Sequence, residues 1–122
     1  MPEFTFGRSV RLDAPLGYRE VFSRGRRVSA HRLLLWHRSR GPQSSATGAR
    51  LGLSVSAKVG GAVQRNRLKR LVRETFRLRR AHLDAQSDMV VCLRPGCRWK
   101  DRAAAEKDLI DLWRKAGVLA PK

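Results

Sequence analysis

The 122-residue chain carries 27 Lys and Arg against 10 Asp and Glu, a formal charge of +17. Solubility alone asks for a net charge of only about 2–8 on a small domain, and a compact chain with this excess repels itself. The composition therefore points to a polyanionic partner, with nucleic acid first and an anionic membrane surface second. It argues against a small-molecule enzyme.

In chain order, residues 1–10 read as an irregular leader, and no apolar stretch of an export signal occurs in residues 1–11. Asp13-Ala14-Pro15 is a helix start, since Asp caps and Pro suits the first turn. Leu16, Tyr18, Val21 and Phe22 give that helix a short apolar face, and Gly25 ends it. Tyr18 and Phe22 are four apart, so their rings are neighbours. Arg27-Val28-Ser29 can form an edge strand. Residues 31–38 (HRLLLWHR) predict a central strand, with Leu33 and Leu35 on one side and Arg32, Leu34 and Trp36 on the other. Leu33–Trp36 is an apolar run far too short to span a bilayer, so no membrane segment is expected. Residues 39–49 (SRGPQSSATGA) predict a mobile loop. Leu51, Leu53 and Val55 then alternate with Gly52, Ser54 and Ser56, a small polar face that leaves room for a ligand or a helix.

The most informative stretch is Lys58 to Glu74 (KVGGAVQRNRLKRLVRE). It predicts a helix over about 62–83 with Leu68, Leu71, Val72 and Thr75 in one stripe. Arg65, Lys69, Arg70, Arg73 and Arg77 spread over the opposite arc with Asn66 among them, and Glu74 is the only acid between Lys58 and Arg80. A solvated helix face normally interleaves both signs at i,i+4. Here cations stand beside cations, and a bound polyanion would relieve the repulsion. Asp88 to Arg94 predicts another strand. Asp101 caps a last helix whose buried stripe is Ala105, Leu109, Leu112, Trp113 and Ala116, closed by Gly117.

The chain offers little chemistry of its own. His31, His37 and His82 are scattered, and the Asp108/Asp111 pair reads as a solvated face beside Lys107, Arg114 and Lys115. Cys92 and Cys97 have no second Cys or His pair at metal-site spacing and read as reduced thiols, which fits the cytoplasm. No phosphate-loop signature and no carboxylate cluster for two magnesium ions occurs. The expectation is one α+β domain over residues 1–122, an α/β sandwich of one small mixed sheet and three helices in the order α-β-β-β-α-β-α. Its function is binding, with no catalytic or metal-ligating residue assigned.

The run Gly60-Gly61-Ala62-Val63-Gln64-Arg65-Asn66-Arg67-Leu68-Lys69-Arg70-Leu71-Val72-Arg73 resembles the hallmark of the bacterial ribonuclease P protein component, Gly-x-Ala-Val-x-Arg-Asn-Arg-x-Lys-Arg-x-x-Arg. Arg11-Leu12, Tyr18, Val21-Phe22 and Gly25, and then Leu53-Ser54-Val55-Ser56, extend the likeness over about residues 8–117. The resemblance implies a left-handed β-α-β crossover, where general rules favour the right hand. It implies the catalytic RNA of ribonuclease P as partner, the 5′ leader of precursor tRNA as a second ligand, and Mg2+ required by that RNA. The implied RNA-binding residues are Lys58, Arg65, Asn66, Arg67, Lys69, Arg70 and Arg73; the implied leader cleft is Tyr18, Phe22 and Trp36. Ala57-Lys58 departs from the two basic residues often found there. A ribosomal or RNA-chaperone protein, or a nucleoid DNA-binding protein, shares the composition but not the hallmark.

Overall fold

The computed structural model describes residues 16–40 and 48–119. The expected leader, the helix start at Asp13–Pro15 and the middle of the 39–49 loop lie outside these residues. The elements are α1 (Leu16–Arg24), β1 (Arg26–Ala30), β2 (Leu33–Ser39), β3 (Arg50–Val55), α2 (Ala62–Arg79), β4 (Ser87–Leu93) and α3 (Arg102–Ala116), the expected order. One sheet runs β1-β2-β4-β3. β1–β2 and β2–β4 are antiparallel, whereas β3 and β4 are parallel, so α2 is the crossover between them.

The two sheet faces differ. Leu33, Leu35, Leu51, Met89, Val91 and Leu93 pack with Leu68, Val72 and Phe76 of α2 and with Leu109, Leu112 and Trp113 of α3. The other face carries α1, where Val21 and Val90 are buried with Tyr18, Trp36 and Cys92 at their rim. β4 is covered on both faces, which is why Met89-Val90-Val91 is a continuous apolar run instead of an alternation.

The caps follow the sequence. Gly25 N donates to Val21 O at 2.8 Å and ends α1. Asp101 Oδ1 accepts from Ala104 N at 2.9 Å, and Gly117 closes α3 at φ 78°, a left-handed conformation glycine adopts without strain.

Two boundaries differ from expectation. The central strand begins at Leu33 and not at His31, because Ala30 pairs with Leu33 and leaves His31-Arg32 as a two-residue turn. His31 takes φ 58° there, as the tight hairpin demands. The long helix stops at Arg79, and a single tighter turn spans Arg80–His82. Leu83 then drops into the core and bridges to Leu119, pulling the chain off the helical path.

Candidate nucleic-acid interface

α2 is amphipathic in the expected sense. Leu68, Val72, Thr75 and Phe76 are buried and Leu71 packs partly against the core. Phe76 joins that stripe and meets Trp113 edge-on, with ring centroids 6.3 Å apart. Thr75 is buried without a polar cost, because its hydroxyl donates to Leu71 O at 2.8 Å.

On the opposite arc Asn66, Arg70 and Arg73 are exposed, while Arg65, Arg67 and Lys69 are half-buried along its flanks. These six side chains form one surface with two kinds of member. Arg67 donates to Trp99 O at 2.8 Å and to Lys100 O at 3.2 Å, so its guanidinium ties α2 to the segment before α3. Arg70 carries no such tie among the described residues. Lys58 stands exposed on the short 57–59 turn that leads into α2, held by Ser56 Oγ, which accepts from Lys58 N at 3.2 Å. Glu74 is neutralised by Arg77 on the same helix, so the single acid does not break the positive field.

Tyr18, Phe22 and Trp36 come together on the other face. Phe22 lies 5.5 Å from Trp36 and 6.3 Å from Tyr18, both edge-on, an arrangement the aromatic quadrupoles favour. Phe22 is 41% exposed, and Tyr18 and Trp36 are half-buried. Tyr18 is fixed from behind: its hydroxyl oxygen accepts from Leu53 N at 2.8 Å and its O–H donates to Leu53 O at 3.4 Å. Gly52 makes that seat. A Cβ at position 52 would stand 2.5 Å from the Tyr18 ring. The small face of this strand thus receives a helix, one of the two occupants its sequence allows. Glu20 accepts from Arg38 at 3.1 Å and from Arg24 at 3.2 Å, bracing the end of α1 against β2.

Three features escaped the sequence. Asp88 holds Arg40 at 2.5 Å and Arg50 at 2.8 Å. Burial raises the Asp88 carboxyl, yet the hydrogen bonds from Arg50 and Arg40 outweigh it and leave the group below its ordinary range. The second is the Gly52 seat. The third is His31, which is not isolated: its Nε2 lies 3.0 Å from Asp111 and 3.5 Å from Asp108. The i,i+3 spacing of the two acids was visible, whereas the return of a hairpin turn 80 residues distant was not. Trp99 Nε1 also donates to Asp108 at 2.9 Å, and Lys107 lies 3.6 Å from Asp111. The hydrogen bond from His31, with Lys107 adding, holds the Asp111 carboxyl below its usual value. Both cysteines are free thiols. Burial, with Asp108 nearby, pushes Cys97 up to about 11, and burial raises Cys92, so neither is an activated nucleophile. No described helix is long and apolar enough to cross a membrane.

A one-sided cationic helix on one face of a sheet and an aromatic shelf on the other are features of the nucleic-acid-binding class of proteins. The ribonuclease P family model matches residues 6–117. A ribonuclease P protein component from Dictyoglomus thermophilum is 37% identical over 118 residues, 95% of each chain. One from Thioalkalivibrio sulfidiphilus is 43% identical over 111 residues, 90% of this chain and 88% of the relative. The RNase P protein of Thermotoga maritima superposes with a TM-score of 0.75 at 28% identity, covering 86% of this chain and 96% of that one. A Staphylococcus aureus RNase P protein mutant shares the fold, with a TM-score of 0.80 at 24% identity and 92% of each chain covered. The chain belongs to the ribonuclease P protein family, the accessory protein subunit of a tRNA-processing endoribonuclease. That membership separates it from the ribosomal, RNA-chaperone and nucleoid alternatives.

Proposed function

We propose that this chain binds the catalytic RNA of ribonuclease P through α2 and the single-stranded 5′ leader of precursor tRNA through the α1 shelf. The observation that carries the reading is the separation of the two surfaces onto opposite faces of one sheet. Asn66, Arg70 and Arg73 point away from the core on the α2 face, with Lys58, Arg65 and Lys69 beside them. Guanidiniums fork onto phosphate oxygens, and neutralised phosphates release counterions, giving affinity that falls with salt. Asn66 offers both a donor and an acceptor to a backbone or base edge. On the α1 face the exposed Phe22 and the edges of Trp36 and Tyr18 are platforms for unstacked bases, each stack worth ~1–3 kcal/mol. Arg67 acts behind this surface, holding the α3 segment against α2.

The hydrolytic chemistry belongs to the RNA and its magnesium ions. Among the described residues the one three-group cluster of possible metal ligands is His31, Asp108 and Asp111. Its imidazole suits transition metals more than magnesium, which asks for six oxygens. Glu20, Glu74, Asp88 and Glu106 are each engaged by arginines. The described residues do not build a magnesium site, and no step is assigned to one. The two thiols fit a reducing compartment, and we assign the protein to the cytoplasm.

The test is reconstitution. A bacterial ribonuclease P RNA with precursor tRNA at low magnesium is expected to cleave faster when this protein is added. Cleavage no faster than with RNA alone would end the proposal.

A further inference from the structure

A second cationic concavity lies at the end of the sheet opposite the start of α2. Its volume is about 510 Å3. Arg24 and Arg26 approach it from the α1–β1 junction, His37 and Arg38 from the end of β2, and Asp84 and Ser87 from the approach to β4. The register fixes the location: Arg26 pairs with His37 and Ser39 with Ser87, whereas α2 begins beyond the Val55 and Leu93 end. Its lining takes in both sides of the sheet end but none of Tyr18, Phe22 and Trp36, so the concavity is not part of the aromatic shelf.

The charges here are unbalanced. Glu20 is shared by Arg24 and Arg38, and Asp88 by Arg40 and Arg50. Arg26 has no carboxylate partner among the described residues. Five arginines against Glu20, Asp84 and Asp88 leave two positive charges at one end of the sheet. Burial and the charge of Arg26 hold the His37 imidazole below its ordinary pKa, with Asp84 acting the other way. Polar groups are also left over. Ser87 is 1% exposed, yet its Oγ has no hydrogen-bond partner, and neither has Arg38 Nε. Buried polar groups without partners are costly, and both of these belong to residues that line the concavity. The cavity exceeds what one phosphate fills and falls in the range of small-ligand sites. Its single acid complements a different group: Asp84 accepts from Gln86 N through Oδ1 and keeps acceptor capacity for a hydroxyl.

We propose that this concavity seats one unpaired ribonucleotide of a bound RNA, its phosphate on Arg26 and Arg38 and its 2′-hydroxyl toward Asp84. The site rests on the reading of the chain as an RNA-binding subunit and adds a third contact, separate from α2 and from the shelf. It would distinguish RNA from DNA, because the 2′-hydroxyl is the group that differs.

The full chain is titrated with single-stranded hexauridylate while NMR follows the His37 ring, the Trp36 indole N–H and the Asn66 amide. The expected result is a saturable shift at His37, a His37 titration midpoint that rises on binding, and weaker occupancy by the deoxy hexamer. Arg26→Ala is expected to weaken the His37 response roughly tenfold, as for a lost charged hydrogen bond, and to lower the salt slope of hexamer binding by about 0.7. Arg26→Lys should restore most of that slope. Arg26 is exposed, and an unchanged amide spectrum elsewhere shows that the variant folds. If Trp36 or Asn66 responds and His37 does not, the RNA binds at the shelf or at α2 and this site is overturned while the RNA-binding reading stands. If none of the three responds, the RNA-binding reading itself fails. If inorganic phosphate shifts His37 with the affinity of the hexamer, the concavity is a plain anion site and the nucleotide assignment falls.

Discussion

The two faces of the sheet are built to different densities. On the α2–α3 face, Phe76 and Trp113 meet in a core that also holds Leu68, Val72, Leu109 and Leu112 against the strands. On the α1 face Val21 and Val90 are the fully buried hydrophobic side chains among the described residues, and Phe22 at the edge keeps 41% of its surface. A densely packed face supplies stability because each buried large side chain is worth roughly 1.5–3 kcal/mol. A thin face contributes less, but it leaves aromatic edges available to something outside the protein. Stability and recognition are therefore divided between faces, and α2 is the one element that serves both.

The sharpest break of that comparison is Phe76→Ala. It opens a cavity in the dense face and should cost ~3–5 kcal/mol in denaturant unfolding, whereas Phe22→Ala should change stability by under about 1 kcal/mol because that ring is already partly in water. Equal losses would mean that the faces are not divided in this way.

Asp88→Asn acts at the strand ends between the faces. It leaves Arg40 and Arg50 without their counter-charge and should cost ~3–5 kcal/mol at pH 7. The sign with pH follows from the lowered Asp88 pKa. The ionised carboxylate stabilises the fold above its unfolded value of 3.8, and that contribution is lost as pH falls through the depressed folded value. The gap between wild type and Asp88→Asn should therefore narrow as urea unfolding is repeated at progressively more acid pH. A gap constant with pH would show that the charge of Asp88 is not its source.

How legible these faces were depended on how local their causes are. The stripe of α2, the Asp101 and Gly117 caps of α3 and the parity of Leu33, Leu35 and Trp36 follow from periodicity and propensity, and the structure shows each of them. The aromatic trio was half legible: Tyr18 and Phe22 are one helical turn apart, but Trp36 joins them only through the docking of α1 on the sheet. The Gly52 seat, the Asp88 clamp and the His31–Asp111 contact were not legible, because each depends on residues far apart in sequence. Arg67 is the instructive case. By sequence it is one more cation of the hallmark, and only the fold shows its guanidinium spent on Trp99 and Lys100 carbonyls.

On the thin face, Phe22→Ala should weaken binding of leader-bearing precursor tRNA to the assembled holoenzyme by ~1–3 kcal/mol, and binding of mature tRNA much less. The relevant measurement is the ratio of the two affinities. An unchanged ratio would remove the aromatic shelf from leader recognition while leaving its packing role intact.

The smallest effect separates two arginines three residues apart. Arg70 is exposed with no tie to the rest of the chain among the described residues, so Arg70→Ala should leave unfolding unchanged and make the salt dependence of RNA binding shallower by about 0.7–0.9, one phosphate's worth. Arg67→Ala should do the reverse. It removes two charge-assisted hydrogen bonds to carbonyl groups, one of them part-buried, and should cost about 1–2 kcal/mol of stability, with a salt slope close to wild type. Unfolding curves and salt titrations on both variants decide the matter. If the two variants behave alike, the hallmark cations act as one undivided field, and the distinction between a cation that holds the scaffold and one that meets the RNA does not apply to this helix.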